Sequence, residues 1–340
     1  MKNWWVEFCC FLLILAALCL APASDAAGRT LAAVPPDPSI GNCPVFPGDN
    51  VWNTPVDTLP VDPLSAQYIT QIGSGSHLHP DFGSGTYNGH RMGIPFNVVP
   101  GTTPKYSVTF TWLGESDAGP YPIPANPLIE DGSDAHLLVV DQDDCKLYEL
   151  YSVTAPANGK GWQAGSGAIF DLRKNDLRTA GYTSADAAGL PMVPGLVRYE
   201  EVQAGHIDHA LRFTVNNSKA GFVWPARHDA PYNTNSKSPV MGLRLRLKAS
   251  YNISGYPADV QVILTALKKY GMIVADNGSS WYISGTSDDR WNNDSLSNIS
   301  GVGGSNFEVV DESSLMVDPN SGRAVWPGLT RKLFVPSIFQ

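Results

Sequence analysis

The sequence is poor in charge and lacks the short motifs of several common enzyme classes. Charged residues make up only 16% of the 340 residues, and the formal net charge is −9. Proteins that bind nucleic acids or anionic membrane surfaces need a basic face, so this balance argues against both kinds of partner. The chain has no Gly-x-Ser-x-Gly, no phosphate-binding loop, no dinucleotide fingerprint and no His-Glu-x-x-His. These absences argue against α/β-hydrolases, nucleotide-binding enzymes and the common zinc proteases.

Long apolar runs are missing after the first twenty residues. The single run, Phe8–Leu20, follows Lys2 and precedes the small residues of Ala21–Ala23, which is the pattern of a secretory signal peptide. We therefore predict a signal peptide over residues 1–23 and an exported mature chain, either secreted or periplasmic. The run is too short for a comfortable membrane span, so we expect no membrane contact after signal removal.

Cysteine is scarce in the predicted mature chain. Three of the five cysteines leave with the signal, and Cys43 and Cys145 remain. Two cysteines in an exported chain most simply form one disulfide, so we predict the pair Cys43–Cys145. The alternative is two free buried thiols. With so few thiols, a cysteine-based zinc site is not expected.

Glycine and proline, by contrast, are plentiful, with 32 and 27 residues. A proline cluster at Pro35–Pro38 indicates a flexible N-terminal linker over residues 24–42. No similar linker follows, so we predict a single β-rich domain over residues 43–340. Its loops should be long and rich in glycine and proline.

Strand patterns dominate this domain. Residues His136–Val153 predict a central hairpin with its turn at Gln142–Asp144, and Asn277-Gly278 predicts a second hairpin. Leucines alternate with cations over Gly242–Ala249, which predicts an outer strand with one wetted face.

Two segments show helical spacing of apolar residues. The clearer one is Pro257–Tyr270, and a shorter one is Pro63–Ile72. Together with the strands, they predict a mainly β (α+β) fold. We expect a single β-sandwich or jelly-roll-like core with one clear helix at about 257–270.

Histidines next to acidic residues are the first candidates for a site. Asp134 stands beside His136, and Asp208 stands beside His209, each near the start of an apolar strand. A carboxylate can orient an imidazole for catalysis, and His228 would be a third member of such a group. The alternative is that these histidines are buried and satisfied by backbone partners.

An arginine and several carboxylates complete the catalytic candidates. Arg227 could hold a carboxylate or phosphate in two hydrogen bonds. Glycoside hydrolysis needs two carboxyl groups facing the scissile bond. The candidates are Glu130, Asp134, Glu149, Asp171, Asp186 and Asp208, and we favour two of the last four. Glu149 alternates with apolar residues and should point inward, which would raise its pKa. Asp171 and Asp186 equally fit turn or helix caps.

A short loop carries His77-x-His79 followed by Asp81, a set of ligand types that suits zinc, copper or iron. The possible metal ligands are therefore His79 and Asp81, with His136 and His209 as further ligands if the fold brings them near. A divalent metal ion is the only cofactor considered, and the alternative is a polar surface loop without metal.

Five segments together resemble an uncharacterised family of exported, mostly bacterial proteins. The segments are HPDFG at 79–83, AGSGAIFDL at 164–172, TSADAAGLP at 183–191, PGLVRYEEV at 194–202 and VWPARH at 223–228. The resemblance spans nearly the whole mature chain and implies secretion and one full-length domain. It transfers no activity and no catalytic residue.

Seven tryptophans remain after signal removal, and exposed indoles commonly stack on sugars. Export, acidity and acid/histidine clusters on loops then favour a monomeric carbohydrate-active enzyme acting on an extracellular polysaccharide. A glycoside hydrolase would use two of the carboxylates. A polysaccharide lyase would use His136 or His209 as base and Arg227 to neutralise a uronate. The alternatives are a non-catalytic glycan- or metal-binding protein, a histidine-ligated metalloenzyme and a structural envelope protein.

Overall fold

The computed structural model describes residues 38–157 and 161–326, and the predicted signal peptide lies outside them. Strands dominate the described residues. In chain order they are β1 Ser39–Ile40, β2 Cys43–Pro44, β3 His79–Asp81, β4 Thr86–Tyr87, β5 His90–Arg91, β6 Phe96–Val99, β7 Lys105–Tyr106, β8 Val108–Phe110, β9 Tyr121–Pro122, β10 Leu137–Asp141, β11 Lys146–Tyr151, β12 Trp162–Ala164, β13 Ser166–Asp171, β14 Leu211–Val215, β15 Arg244–Leu247, β16 Met272–Asn277, β17 Tyr282–Ser284 and β18 Phe307–Val309.

Four α-helices accompany the strands in this part of the chain: α1 Ser65–Ile72, α2 Tyr199–Ala204, α3 Ala258–Lys269 and α4 Asn293–Leu296. Helix α3 confirms the predicted long helix to within one residue at each end, and α1 confirms the shorter one. Gly271, with φ +69°, follows α3, where a Cβ would lie 2.2 Å from the Leu245 carbonyl oxygen. Glycine at this position lets the helix end close against β15. None of the helices described is long and apolar enough to cross a membrane.

A four-stranded sheet has the order β13-β11-β10-β6, and its two central strands, β10 and β11, are largely buried on both faces. Its centre is the predicted hairpin, in which Leu137 pairs with Leu150 and Asp141 pairs with Lys146. Leu138 belongs to the larger of two apolar clusters and Val139 to the smaller one, because successive strand residues point to opposite faces. The prediction of a central strand with two apolar faces is therefore confirmed.

A six-stranded sheet has the order β18-β15-β16-β14-β17-β3. The predicted hairpin at Asn277-Gly278 is wrong, because β14 lies between β16 and β17. The connection between β16 and β17 therefore passes the end of β14 and hydrogen-bonds to it. Gly278 N donates to Val215 O at 2.9 Å, and Trp281 N donates to Thr214 O at 3.2 Å.

The cationic face of β15 is not wetted, contrary to the prediction. Arg244 is fully buried and donates to Val51 O and Thr54 O at 2.8 and 2.9 Å, besides its ion pair with Glu312 at 2.9 Å. The proline-interrupted segment 51–59 covers this face, and its carbonyl oxygens have no partner strand. The arginines satisfy those carbonyls, which explains why cations are tolerated in the interior.

The larger apolar cluster contains side chains from both main sheets, including Leu147 of β11 and Phe213 of β14, so the two sheets share one core.

The predicted mainly β fold with one clear helix is confirmed, because strands predominate and α3 is the longest of the described helices. Residues 38–42 are the described part of the predicted linker. They belong to the fold rather than to a flexible segment, because β1 pairs with β2 and Ile40 is buried. The described residues form one compact unit. The predicted disulfide between Cys43 and Cys145 is also confirmed.

Candidate functional site

A cavity of about 580 Å³ opens between one end of the four-stranded sheet and the end of β16. Tyr151 enters it from the end of β11, and segment Thr183–Ala187 forms one wall. Most of the other side chains that line it are aromatic or acidic, and one is the imidazole of His228. The functional side chains are Trp112, Glu115, Asp134, Tyr151, Asp186, His228, Asp229, Tyr232 and Asp276. A concave site of this size with convergent polar groups is typical of a binding site for a small molecule.

Segment Thr183–Ala187 is held in place by side chains from three other parts of the chain. Ser166, the first residue of β13, donates from Oγ to Ser184 O at 2.6 Å. His136 Nε2 donates to Ala185 O at 3.0 Å, and His228 Nδ1 donates to Ala187 O at 2.8 Å. These bonds fix the cavity wall and account for two of the predicted histidines.

His136 is buried, and both of its ring nitrogens have protein partners, so it is not available as a free base. Its Nδ1 binds Glu130, and its Nε2 is already used by the Ala185 carbonyl. Burial lowers the pKa of His136, but the hydrogen bond and charge of Glu130 outweigh it, so the pKa lies above its ordinary value. The orienting carboxylate is thus Glu130, and Asp134 instead lies at the cavity.

His209 lies away from the cavity, and both of its nitrogens have protein partners. Nδ1 donates to Ala210 O at 2.7 Å, and Nε2 lies 3.1 Å from Glu201 of α2. Asp208, its neighbour in sequence, binds His206 at 2.7 Å instead. The side chain of His209 therefore anchors α2, and neither His209 nor Asp208 belongs to the site.

His228 is the one predicted histidine that faces the cavity. Because its Nδ1–H donates to a carbonyl, the neutral ring presents Nε2 as an acceptor. That nitrogen lies 3.6 Å from Glu115 Oε2, and 23% of the His228 side chain is exposed. Glu115 is 39% exposed, so both side chains are accessible to a bound molecule or a water.

Two aspartates share one buried arginine beneath the cavity. Arg212 donates to both oxygens of Asp186, at 3.1 and 3.2 Å, and lies 3.9 Å from Asp276. Asp186 is fully buried, whereas 27% of the Asp276 side chain is exposed. Burial and the adjacent Asp186 carboxylate raise the pKa of Asp276 to about 7. Asp276 can therefore carry a proton near neutral pH.

Trp112 forms an aromatic wall with a fixed orientation. Its indole stacks on Tyr151 with centroids 6.1 Å apart and planes 27° apart. The indole also lies against Gly165, where a Cβ would come within 2.6 Å of the ring. It remains 48% exposed, and Tyr232 is 74% exposed at the same cavity. Exposed rings held in place by packing are suitable platforms for sugar faces.

Besides His136, His209 and Asp208, three further predicted catalytic residues do not line the cavity. Glu149 is buried and accepts from Met192 N and Val193 N at 2.9 and 3.0 Å, at the start of a 3₁₀ turn. Asp171 accepts from Arg173 N at 3.1 Å, which is a turn role. Arg227 donates to three oxygens, among them Arg178 O at 2.7 Å. Each of its three guanidinium nitrogens already donates to the protein, and Arg227 does not line the cavity.

The possible metal ligands are not brought together. His79 and Asp81 lie on the edge strand β3, where the His79 ring stacks on Tyr282 at 4.0 Å. His136 and His209 are each occupied as described above. Among the described residues, no three His, Cys, Asp or Glu side chains are arranged to hold a metal ion.

Sequence reasoning missed Glu115, Asp229, Tyr232 and Asp276, and it did not single out Trp112 among the seven tryptophans. Asp276 carries a usable signal, because it ends an apolar strand just before a turn, where charged residues often belong to sites. Glu115 lies in an irregular proline-rich connection without any such pattern. Comparisons with protein-family models, curated proteins and solved structures give no match. The resemblance to a family of exported proteins therefore stays a prediction.

Proposed function

We propose that the cavity is the active site of an exported glycoside hydrolase that cleaves an extracellular polysaccharide. The observation that carries this proposal is the position of Asp276, a carboxyl group with a raised pKa, in one cavity with a second carboxylate and an exposed indole. Hydrolysis of a glycosidic bond needs one carboxylic acid and one carboxylate. The disulfide supports the predicted export, because such bonds persist in oxidising compartments.

In this mechanism Asp276 donates its proton to the glycosidic oxygen as the bond to the anomeric carbon breaks. Glu115, with His228 beside it, accepts a proton from the water that attacks that carbon. The water oxygen joins the sugar, and its second hydrogen remains on the new hydroxyl group. Trp112 holds the neighbouring sugar ring by stacking.

Hydrolysis fits the cavity better than elimination. A lyase must neutralise the carboxylate of a uronate with a cation, yet no lysine or arginine side chain lines the cavity within the described residues. Arg212 lies close by but is bound in a bidentate pair to Asp186. Five carboxyl groups line the cavity and would repel a uronate.

The test is release of reducing ends from a panel of neutral and charged polysaccharides by the purified mature chain. We expect Asp276→Asn to lower kcat about 10²-fold or more with little change in KM, because a general acid acts only in the transition state. Trp112→Ala should raise KM instead. Asp171→Asn is the matched control, since Asp171 is a turn carboxylate outside this cavity, and it should retain activity.

Two results would count against the proposal. One is an Asp276→Asn variant that cleaves as fast as the wild type. The other is a folded wild-type chain that binds a polysaccharide through Trp112 but releases no reducing ends, which would favour a non-catalytic glycan-binding protein.

A further inference from the structure

We infer that the cavity takes a glycan of amino sugars whose amines are free and positively charged. This inference rests on the proposed function and names the substrate class of the same site. Its basis is the charge of the cavity, which carries five carboxyl groups, Glu115, Asp134, Asp186, Asp229 and Asp276, together with aromatic walls.

The five carboxyl groups differ in how they are compensated. Asp186 is neutralised by Arg212 through two hydrogen bonds. Asp134 has a 3.2 Å hydrogen bond from Ser133 Oγ, and Asp229 accepts from the backbone of Gly221 at 2.5 Å. Within the described residues, neither Asp134 nor Asp229 forms an ion pair with a lysine, arginine or histidine.

Glu115 accepts a 3.4 Å hydrogen bond from Thr183 N and lies 3.6 Å from the His228 ring, and within the described residues it forms no ion pair with a lysine or arginine. The cavity therefore holds a surplus of negative charge at positions where a substrate would lie. Its walls exclude part of the solvent, so a positive group inside would be attracted more strongly than at an open surface. An ammonium group would also gain from the face of the Trp112 indole.

Other sugar classes fit these charges less well. A uronic acid would bring a further anion among carboxylates that lack a cation. A neutral sugar could donate hydroxyl hydrogen bonds to Asp134 and Asp229, but it would not offset their negative charge. An ammonium on each ring offers several possible positions for pairing, which suits carboxylates spread around the cavity rather than gathered at one point.

The experiment compares oligomers that differ only in charge. Glucosamine oligomers with β-1,4 links and galactosamine oligomers with α-1,4 links are each used free and fully N-acetylated, since acetylation removes the charge and keeps the linkage. Binding is measured calorimetrically on Asp276→Asn, and cleavage on the wild type. We expect at least one free amine oligomer to bind about tenfold tighter than its acetylated partner at low salt. That advantage should shrink at ~0.5 M salt.

A double variant, Asp134→Asn with Asp229→Asn, should lose most of the preference for the free amine while its binding of the acetylated oligomer changes little. Equal or tighter binding of the acetylated forms would overturn the inference, and cleavage of those forms by the wild type would leave the hydrolase proposal standing. Charge-dependent binding without cleavage would support the ligand class and contradict hydrolysis. If no oligomer binds, the inference fails.

Discussion

Glu149 shows how a buried carboxyl group can respond to pH without taking part in the site. Burial raises its pKa to about 7, although the amides of Val193 and Met192 favour the ionised form. The folded-state pKa is therefore higher than that of the unfolded chain. The stabilising contribution of Glu149 is complete at low pH and is lost as the pH rises through about 7.

This predicts how Glu149→Gln behaves relative to the wild type. The difference in free energy of unfolding should shift in favour of the variant by on the order of 2 kcal/mol between pH 5 and pH 8, because glutamine cannot ionise. Urea unfolding of both proteins at the two pH values measures it. A difference that stays constant with pH would contradict the prediction.

The histidines show where residue-level sequence reasoning stops. Neighbours in sequence do not orient His136 or His209; Glu130 and Glu201 do so. Adjacent residues in an extended chain point to opposite sides, so Asp208 cannot easily face the ring of His209. For His136, Ala135 has φ +42° and turns the chain between the two side chains. The sequence identifies a histidine that needs a carboxylate, but only the fold selects which one.

At the scale of elements, the segment after Tyr182 sets the position of His228. Gly189 has φ +68°, and a Cβ there would lie 2.6 Å from Tyr182 O and 3.3 Å from the Cβ of His228. Gly181 has φ +87° in the same region, but a Cβ at that position would meet nothing within 4 Å. Comparing substitutions at the two glycines therefore separates the cost of the positive φ from the cost of the close contact.

We expect Gly189→Ala to destabilise the fold by roughly 2–4 kcal/mol, because strain and a clash with a backbone oxygen add together. Gly181→Ala should cost only about 1 kcal/mol, from its conformation alone. Thermal or urea unfolding measures both. Equal losses in the two variants would contradict the close approach at Gly189, and the proposed activity should fall only in Gly189→Ala.

The two wrong predictions for strands have a common cause. Asn277-Gly278 is a strong local turn signal, and the alternation in β15 is a strong local surface signal. Each pattern reports on its own residues and carries no information about a distant segment. Strand β14 inserts beside β16, and segment 51–59 covers β15, so contacts between remote parts of the chain override both signals.

At the scale of the whole molecule, the fold class was predictable and the site was only partly so. Strand alternation, helical spacing and cysteine pairing act over short distances or on rare residues, so the mainly β fold, α3 and the disulfide follow from the sequence. The cavity assembles Trp112, Asp134, His228 and Asp276 from separate elements. Of these, sequence reasoning identified Asp134 and His228, because a titratable residue beside a strand is visible locally and its spatial partners are not.

The Cys43–Cys145 disulfide ties the N-terminal strand β2 to the turn after β10, across a sequence separation of 102 residues. On the chain-entropy model, a closed loop of this length stabilises the fold by about 4–5 kcal/mol, since it restricts the unfolded chain. Replacing both cysteines with alanine should lower Tm by roughly 7 °C in a domain of this size. Differential scanning calorimetry measures the shift. A reducing agent should lower the wild-type Tm towards that of the variant and leave the variant unchanged; an unchanged Tm in the variant would mean that packing alone holds β2 in place.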